Sequence, residues 1–269
     1  MCIRDSFEEG YSGDTLQGTY LAGVWFPDKN VVGWWKNGYP KYFGKTPNAP
    51  SFIGIGITVN GEKLDLAKVK FSDFELSLDM HQGLLSRSFV YEGKDVKVKF
   101  EFERFLHIIQ KEAALIKVKA TVLEGHAKID FDSTLDGTVV NEDSNYDERF
   151  WIPLGEDKDR RTIQVKTKPN PYEVPQFTVL LKQALRHNGE ALQGEVSSQE
   201  AKLSEKISVE LDQDQSYELE KDVIVVTSRD VEEKDQADVA EDFMKKLQTK
   251  SFEENLAEHT ATVSYTHLR

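Results

Sequence analysis

The chain has 269 residues and a formal net charge of −13, with 39% hydrophobic and 30% charged residues. This balance is typical of a globular protein with a core, and its acidity argues against nucleic acid as a partner, because phosphate binding needs clustered lysine and arginine. No apolar run approaches the roughly 20 residues of a membrane-spanning helix, and the single cysteine, Cys2, leaves no disulfide framework or thiolate metal site.

The first feature along the chain is a run rich in aromatic residues and glycine at residues 7–44, FEEGYSGDTLQGTYLAGVWFPDKNVVGWWKNGYPKYFG. Few aliphatic residues interrupt it, which favours ordered loops over a regular helix or strand. Its centre could stack on the apolar faces of a sugar ring. We favour a contact with a neighbouring domain or subunit, where tryptophan and tyrosine are enriched. The candidate residues are Trp34, Trp35, Lys36, Asn37 and Tyr39.

Beyond Phe52 the pattern changes to strands. Apolar residues alternate with polar ones at residues 74–80, 96–103, 128–132 and 207–212, which predicts antiparallel sheets with one apolar face. The continuous apolar segment 223–226 is typical of a strand buried on both faces. Turn signals separate these segments and together predict a large β-sandwich: Asn60-Gly61, Gln82-Gly83, Glu92-Gly93, Asp136-Gly137 and Asn188-Gly189.

Residues 141–151, NEDSNYDERFW, contain the adjacent carboxylates Asp147 and Glu148. Cleavage of a glycosidic bond needs a carboxylic acid that protonates the leaving oxygen, but neighbours on a strand point to opposite faces and would not form a facing pair. We favour a loop held by an Arg149 ion pair and a Trp151 anchor. The alternative is a loop, with Asn145 and Tyr146, that borders an active site.

The last part of the chain has helical spacing. Apolar residues recur every three or four positions from about residue 235 to residue 258, which predicts two helices. Ser251 and Glu254 are spaced as a capping box at the start of the second helix. The six histidines show no ligand spacing, so we expect no metal site. His107, among Leu106 and Ile108, is interpreted as a buried histidine with satisfied hydrogen bonds.

Three blocks carry a resemblance to a known family: residues 7–44, residues 141–151 and the TKPNP run at residues 167–171. From Phe7 to about Ala261 the chain resembles the N-terminal domain of the maltose phosphorylases of glycoside hydrolase family 65. The resemblance implies an all-β super-sandwich of the galactose-mutarotase-like kind at residues 7–230. Two linker helices at residues 231–262 would lead toward an (α/α)6 catalytic barrel that is missing here. Residues 1–6 and 263–269 do not continue the family's sequence, and we expect non-native tails there.

The family implies an inverting, glycosyltransferase-type phosphorylase that converts maltose and inorganic phosphate into β-glucose 1-phosphate and glucose without an organic cofactor. Its catalytic glutamate and phosphate site lie on the barrel, so no residue of this chain is assigned a catalytic role. We therefore expect a domain that supports the barrel and a homodimer, and that is inactive alone. An α-glucosyl disaccharide is the implied ligand of the parent, and the cytoplasm its implied location.

Two other functions stay open from the residues alone. A free-standing carbohydrate-binding module would use the aromatic run around Trp34, Trp35 and Tyr39. A mutarotase-like enzyme is less favoured, because it needs a general acid and a general base within reach of the sugar. No histidine and carboxylate pair in the sequence is spaced in a way that nominates such a site.

Overall fold

A computed structural model describes residues 18–29, 41–140 and 149–267. Strands β1 to β16 of these residues are, in chain order, Phe26–Lys29, Tyr42–Lys45, Ile55–Val59, Glu62–Lys63, Phe71–Asp79, Leu84–Gly93, Val96–Leu106, Ala113–Glu124, His126–Asp136, Trp151–Asp157, Thr162–Thr167, Thr178–His187, Glu190–Leu192, Glu195–Gln199, Lys202–Asp212 and Ser216–Thr227. A 3₁₀ turn at Glu233–Asp235 leads into helix α1, Gln236–Leu247, and helix α2, Phe252–His267. The predicted all-β class with two C-terminal helices is confirmed.

Two antiparallel sheets form the body of the described chain. The larger has nine strands in the order β10-β11-β12-β16-β8-β7-β6-β5, with β13 also paired to β12. The smaller has five strands in the order β14-β15-β9-β3-β4. Strands β1 and β2 form a separate hairpin. The predicted large antiparallel sandwich is therefore confirmed.

The alternating strands build the core between the two sheets. Val98 and Phe100 of β7 are fully buried and pack with Phe131 of β9 in one apolar cluster, whereas Lys97 and Lys99 are only partly buried. Each large apolar side chain that is wholly removed from water stabilises the fold by about 1.5–3 kcal/mol. The period-two pattern in the sequence reports this difference in burial directly.

The two helices cover the opposite face of the larger sheet. Met244 and Leu247 of α1 and Phe252 of α2 are 1–2% exposed, and the Phe252 ring meets Phe105 of β7 edge-on at 5.3 Å. Because both faces of the sheet are covered here, β16 buries every residue from Val223 to Val226, as its continuous apolar run predicted. Neither helix of the described residues is long and apolar enough to span a bilayer.

Local signals in the sequence identify most of the turns and one helix start. The capping box is confirmed, since the Ser251 backbone N–H donates to Glu254 at 2.8 Å and the Glu254 N–H donates to Ser251 Oγ at 3.1 Å. The Asn188-Gly189 pair turns between β12 and β13 with positive φ at both residues. The Glu92-Gly93 prediction was wrong: both residues belong to β6, and the chain reverses at Lys94 and Asp95.

The alternation pattern predicted the wrong burial for strand β5. Its apolar face was expected to be buried, but Phe74, Leu76 and Leu78 are 42%, 53% and 61% exposed, and Met80 just beyond it is 79% exposed. The reason is position, because β5 is the last strand of the larger sheet and pairs with β6 alone among the described strands. A five-stranded sheet facing a nine-stranded one leaves that edge without a facing strand.

Candidate aromatic interface site

The β1–β2 hairpin carries the described part of the aromatic run. Trp25, directly before β1, stacks on Tyr42 with ring centroids 6.2 Å apart and ring planes 18° apart. Tyr42 in turn contacts Tyr172, whose centroid is 4.7 Å away. All three residues are partly buried, so each member of this row keeps part of its surface exposed.

Behind this row, two aromatic rings lie between two cations. Phe26 of β1 and Phe150 have centroids 5.0 Å apart. Lys168 Nζ lies 5.0 Å from the Phe26 centroid and 4.7 Å from that of Phe150, and Lys45 Nζ lies 5.0 Å from Phe150. Such cation–π contacts contribute about 0.5–2 kcal/mol each, with the larger values at desolvated sites.

The Lys45 ammonium also faces the carboxylate of Asp28, at 3.6 Å, and both side chains are 8% exposed. The Asp28 carboxylate further accepts a hydrogen bond from the Lys29 backbone N–H at 2.9 Å. Because Asp28 faces a lysine and not a second carboxylate, the described residues offer no facing acid–base pair of the kind that glycosidic cleavage requires at this position.

Trp151 fixes the end of the second block to the hairpin region. It is 3% exposed, and its indole N–H donates to the backbone carbonyl of Asn48 at 2.6 Å. The Asn48 side chain donates to the carbonyl of Val140 at 3.0 Å. Arg149 is exposed, and within the described ranges no ion pair joins it to another residue. The loop ends here are thus held by Trp151 and Asn48.

The third block supplies the remaining wall. The Lys168 backbone N–H donates to the Phe150 carbonyl at 2.8 Å, which ties block three to block two. The Asn170 carboxamide oxygen accepts from the N–H groups of Tyr172 and Val174 at 3.0 and 3.2 Å. This local turn directs the chain so that Tyr172 meets Tyr42.

The three blocks that are separated in sequence therefore meet at one place in the fold. We call this place the hairpin cluster, which consists of Trp25, Phe26, Asp28, Tyr42, Lys45, Phe150, Lys168 and Tyr172. Sequence reasoning did not single out Lys45, Lys168 or Tyr172. Their position within or beside the blocks was the available signal, but no periodicity marks residues in irregular segments.

Most residues predicted as site candidates lie outside the described residues. Residues 30–40 lie between the two strands of the hairpin, and residues 141–148 lie between Val140 and Arg149. The described residues that flank segments 30–40 and 141–148 therefore lie in or next to the hairpin cluster. The predicted candidates outside the described ranges are Trp34, Trp35, Lys36, Asn37, Tyr39, Asn145, Tyr146, Asp147 and Glu148.

A second charged cluster lies where α1 connects to α2, and we call it the arginine cluster: Arg186, Glu220, Asp222, Gln248 and Lys250. Arg186 holds Asp222 through two nitrogens, at 2.8 and 3.0 Å, and Glu220 at 3.0 Å. It also donates to the Lys250 carbonyl at 3.1 Å, and Gln248 donates to Asp222 at 3.2 Å. Burial raises the pKa of Asp222 and of Glu220, although Arg186 beside them acts in the opposite direction.

Two histidines join α2 to the end of β7. His107 Nδ1 accepts from the N–H groups of Ile109 and Gln110 at 3.2 and 3.0 Å, and its Nε2 lies 3.5 Å from Glu258. His259 Nδ1 accepts from the Ile108 N–H at 3.2 Å. Burial lowers the pKa of both rings, and the neighbouring His107 lowers that of His259 further. Because both Nδ1 atoms accept hydrogen bonds, the neutral form of each ring carries its proton on Nε2.

No group of three metal-ligating side chains occurs within residues 18–29, 41–140 and 149–267. The chemistry of the hairpin cluster is instead that of a contact surface. Its partly exposed aromatic row suits stacking on a flat apolar surface, and its lysines contact aromatic rings and a carboxylate. Such a surface fits a neighbouring protein segment or a sugar ring.

Comparison with known proteins places these features in context. The family model described as Glycosyl hydrolase family 65, N-terminal domain, matches residues 1–265. A maltose phosphorylase from Bacillus subtilis (strain 168) is 43% identical over 262 residues, which are 97% of this chain and 34% of that protein. A kojibiose phosphorylase from Halothermothrix orenii is 26% identical over 274 residues, covering 96% of this chain and 32% of that protein.

The fold is shared with a solved structure. A protein from the human microbiome, whose name assigns it to the kojibiose phosphorylases, superposes with a TM-score of 0.82 at 23% identity. The match covers 98% of this chain and 34% of that one.

A third relative by sequence is an alpha,alpha-trehalose phosphorylase from Thermoanaerobacter brockii, which is 30% identical over 158 residues, 56% of this chain and 20% of that protein. The chain spans about a third of the length of the relatives that it matches most fully.

Proposed function

This chain belongs to glycosyl hydrolase family 65 as its N-terminal domain, and from that premise we propose that it is the N-terminal domain of an inverting maltose phosphorylase. The observation that carries the proposal is the identity to a maltose phosphorylase along nearly the whole chain, which exceeds the identity to kojibiose and trehalose phosphorylases. The parent reaction is the conversion of maltose and inorganic phosphate into β-glucose 1-phosphate and glucose.

In this proposal the domain is a support and not a catalyst. The general acid and the phosphate site belong to the barrel in the remaining two thirds of the parent, and no organic cofactor takes part. The hairpin cluster, with the aromatic and acidic segments at residues 30–40 and 141–148, contacts a neighbouring domain or subunit of a cytoplasmic homodimer. What supports this role is the convergence of the three family blocks on one aromatic surface.

Phosphate-dependent glucose release from maltose tests the proposal. The 269-residue chain is expected to give no release above a blank, whereas the proposed full-length parent protein, which we call the long protein, is expected to phosphorolyse maltose faster than trehalose or kojibiose. Phosphorolysis by the 269-residue chain would show that the domain is itself an enzyme. A long protein that prefers kojibiose or trehalose would overturn the substrate assignment.

A second candidate function is sugar binding by the isolated domain, which the row of Trp25, Tyr42 and Tyr172 favours because half-buried rings can stack on a pyranose. Titration of maltose against tryptophan fluorescence tests it, with Trp25→Ala and Trp34→Ala as variants. A saturable change that either variant abolishes would support a binding module. No change up to millimolar maltose would dismiss it.

A further inference from the structure

The two edges of the nine-stranded sheet differ in how they are protected. Edge strand β10 contains Pro153, which has no N–H to donate, and its register shifts between Pro153 and Gly155. Edge strand β5 has a shift near Asp73, but residues 75–79 pair with β6 in unbroken register and include neither proline nor lysine. Edges that lack such features readily accept another segment of polypeptide.

The exposed side of β5 is also apolar. Phe74, Leu76, Leu78 and Met80 are between 42% and 79% exposed, and we call these four residues the β5 stripe. Leu76 lies opposite Arg87 and Leu78 lies opposite Leu85, so the stripe shares a sheet face with those residues. Contiguous exposed apolar patches of this kind mark interaction sites on soluble proteins.

A groove continues the stripe across the same face. It is a shallow groove that holds about 40 Å³ of space for solvent, and its lining combines apolar and charged side chains: Ile53, Ile55, Leu85, Phe102 and Ile116 with Arg87, Glu103 and Arg104. Because the acidic residues Glu75 and Asp79 alternate with the stripe, they point to the other face of β5. The stripe is therefore apolar, and the groove beside it adds charged groups at its rim, which suits a partner segment with apolar side chains flanked by polar ones.

The last helix reaches the turn at one end of β5. Gly83, in the turn between β5 and β6, has φ +65°, and a Cβ atom at this position would lie 2.5 Å from His259 Nε2 and 3.6 Å from Val263 Cγ2. Helix α2 therefore contacts the turn that begins directly after Met80. Because α2 packs with Leu84 on the face opposite the stripe, a polypeptide that follows it reaches the stripe by passing around the edge of β5.

We propose that the β5 stripe and its groove are the docking surface for the segment of the parent protein that follows residue 262, where the expected non-native tail begins. The inference rests on the proposed function, since the matched relatives carry about two thirds of their length outside the matched region. A second copy fits less well. If two copies paired their β5 strands antiparallel about Leu76, Asp73 of one copy would lie opposite Asp79 of the other, and the like charges would repel. Each copy also carries a net charge of −13, which adds to the repulsion.

Hydrogen exchange measured by mass spectrometry tests the proposal. The 269-residue chain is compared with the long protein, and peptides covering residues 71–80 are followed. We expect at least tenfold slower exchange of these amides in the long protein, because docking buries the edge. Equal exchange in the two proteins, or a reading frame that ends at residue 269, would overturn the proposal.

Matched variants separate this surface from general effects. In the long protein, Leu76→Lys with Leu78→Lys is expected to remove the protection of residues 71–80. Ile152→Lys with Leu154→Lys, on the opposite edge at 39% and 42% exposure, is expected to leave it intact. Loss of protection in both double variants would overturn the assignment to β5.

Two further readouts keep this inference distinct from the proposed function. Protection of β5 in a long protein that does not phosphorolyse maltose would support the docking surface while the maltose assignment fails. Sedimentation of the 269-residue chain tests the second copy: a dimer that protects residues 71–80, and that Leu76→Lys dissociates, would overturn the proposed occupant.

Discussion

The hairpin cluster and the arginine cluster both bury charge, but they do so differently. Arg186 is 3% exposed and meets two carboxylates and a backbone carbonyl, all at 3.1 Å or less. In the hairpin cluster, Lys45 faces one carboxylate at 3.6 Å and an aromatic ring at 5.0 Å. The first is an enclosed network of ion pairs and hydrogen bonds around one guanidinium, and the second combines one ion pair with cation–π contacts next to partly buried rings.

The difference indicates what each cluster does. A buried guanidinium that donates to Asp222 and to the Lys250 carbonyl, and pairs with Glu220, fixes one arrangement of the groups around it. These groups belong to β12, β16 and the α1–α2 connection. The hairpin cluster joins loop ends and leaves aromatic surface open. We therefore expect substitutions in the arginine cluster to act mainly on stability, and substitutions in the hairpin cluster to act mainly on contacts with a partner.

The largest effect is expected from Arg186→Met, which leaves Glu220 and Asp222 buried without their cation. Removal of one member of a buried ionic network costs about 3–5 kcal/mol of the free energy of unfolding, measurable by urea denaturation. Arg160→Met is the control, because its pair with Asp238 is exposed to solvent and is expected to change stability little. Equal losses in the two variants would contradict the network interpretation.

A smaller effect is expected from Asp28→Asn, which keeps the shape of the side chain but leaves Lys45 without its carboxylate. Because the two groups are 3.6 Å apart, we expect a loss of about 1–3 kcal/mol. The near-ultraviolet circular dichroism of Trp25 and Tyr42 should change as well, since both rings flank the hairpin. A loss of unfolding free energy as large as that of Arg186→Met would contradict the proposed difference between the two clusters.

The pH dependence of unfolding provides a third comparison. Burial lowers the folded-state pKa of His107 and His259 below the unfolded value of about 6.5. As pH falls, the histidines of the unfolded chain therefore bind protons before those of the folded chain. The contribution of the two histidines to the free energy of unfolding is fully present above about pH 6.5 and is lost as pH falls through the folded-state pKa values. Glu220 and Asp222, whose pKa values are raised, act with the opposite sign as pH rises.

His259→Gln isolates the histidine contribution, because the carboxylates are common to variant and parent chain. We expect a flatter dependence of the free energy of unfolding on pH between about pH 7 and 5, measured by urea titrations across that range. The exposed His126→Gln serves as the control. An unchanged slope in His259→Gln would mean that the ring is not held neutral by the fold.

The smallest effect on stability is expected from Tyr172→Ala, which removes the last ring of the partly exposed aromatic row. Its contact with Tyr42 is worth about 0.5–1.5 kcal/mol, and the half-buried ring loses little further burial. We expect a larger effect on the proposed homodimer, measured as weaker dimerisation of the long protein in sedimentation. A large loss of stability with unchanged dimerisation would assign Tyr172 to the fold and not to an interface.

The fold was predictable where side-chain periodicity coincides with burial. The alternation of β7 and the continuous run of β16 report one and two buried faces, and the Ser251 capping box is a local signal that the structure reproduces. On β5 the same pattern identified the apolar face but could not say whether anything covers it. A period of two distinguishes the faces of a strand and carries no information about partners.

The candidate site was predictable only as separate segments. Its assembly depends on contacts such as the hydrogen bond between Trp151 and Asn48, which are 103 residues apart. No local pattern specifies such a pairing. Lys168 and Tyr172 were missed for the same reason, since their roles arise from where β10 and β11 bring their ends together.

The position of β16 in the larger sheet bears on how the chain is made. β16 ends at Thr227, yet it pairs with β8, which begins at Ala113, and with β12, which begins at Thr178. During synthesis, the edges of β8 and β12 that pair with β16 therefore stay unpaired until β16 has left the ribosome. Non-local pairing of this kind slows folding and exposes unpaired strands. Translation that stalls before residue 216 would thus release a chain prone to aggregate.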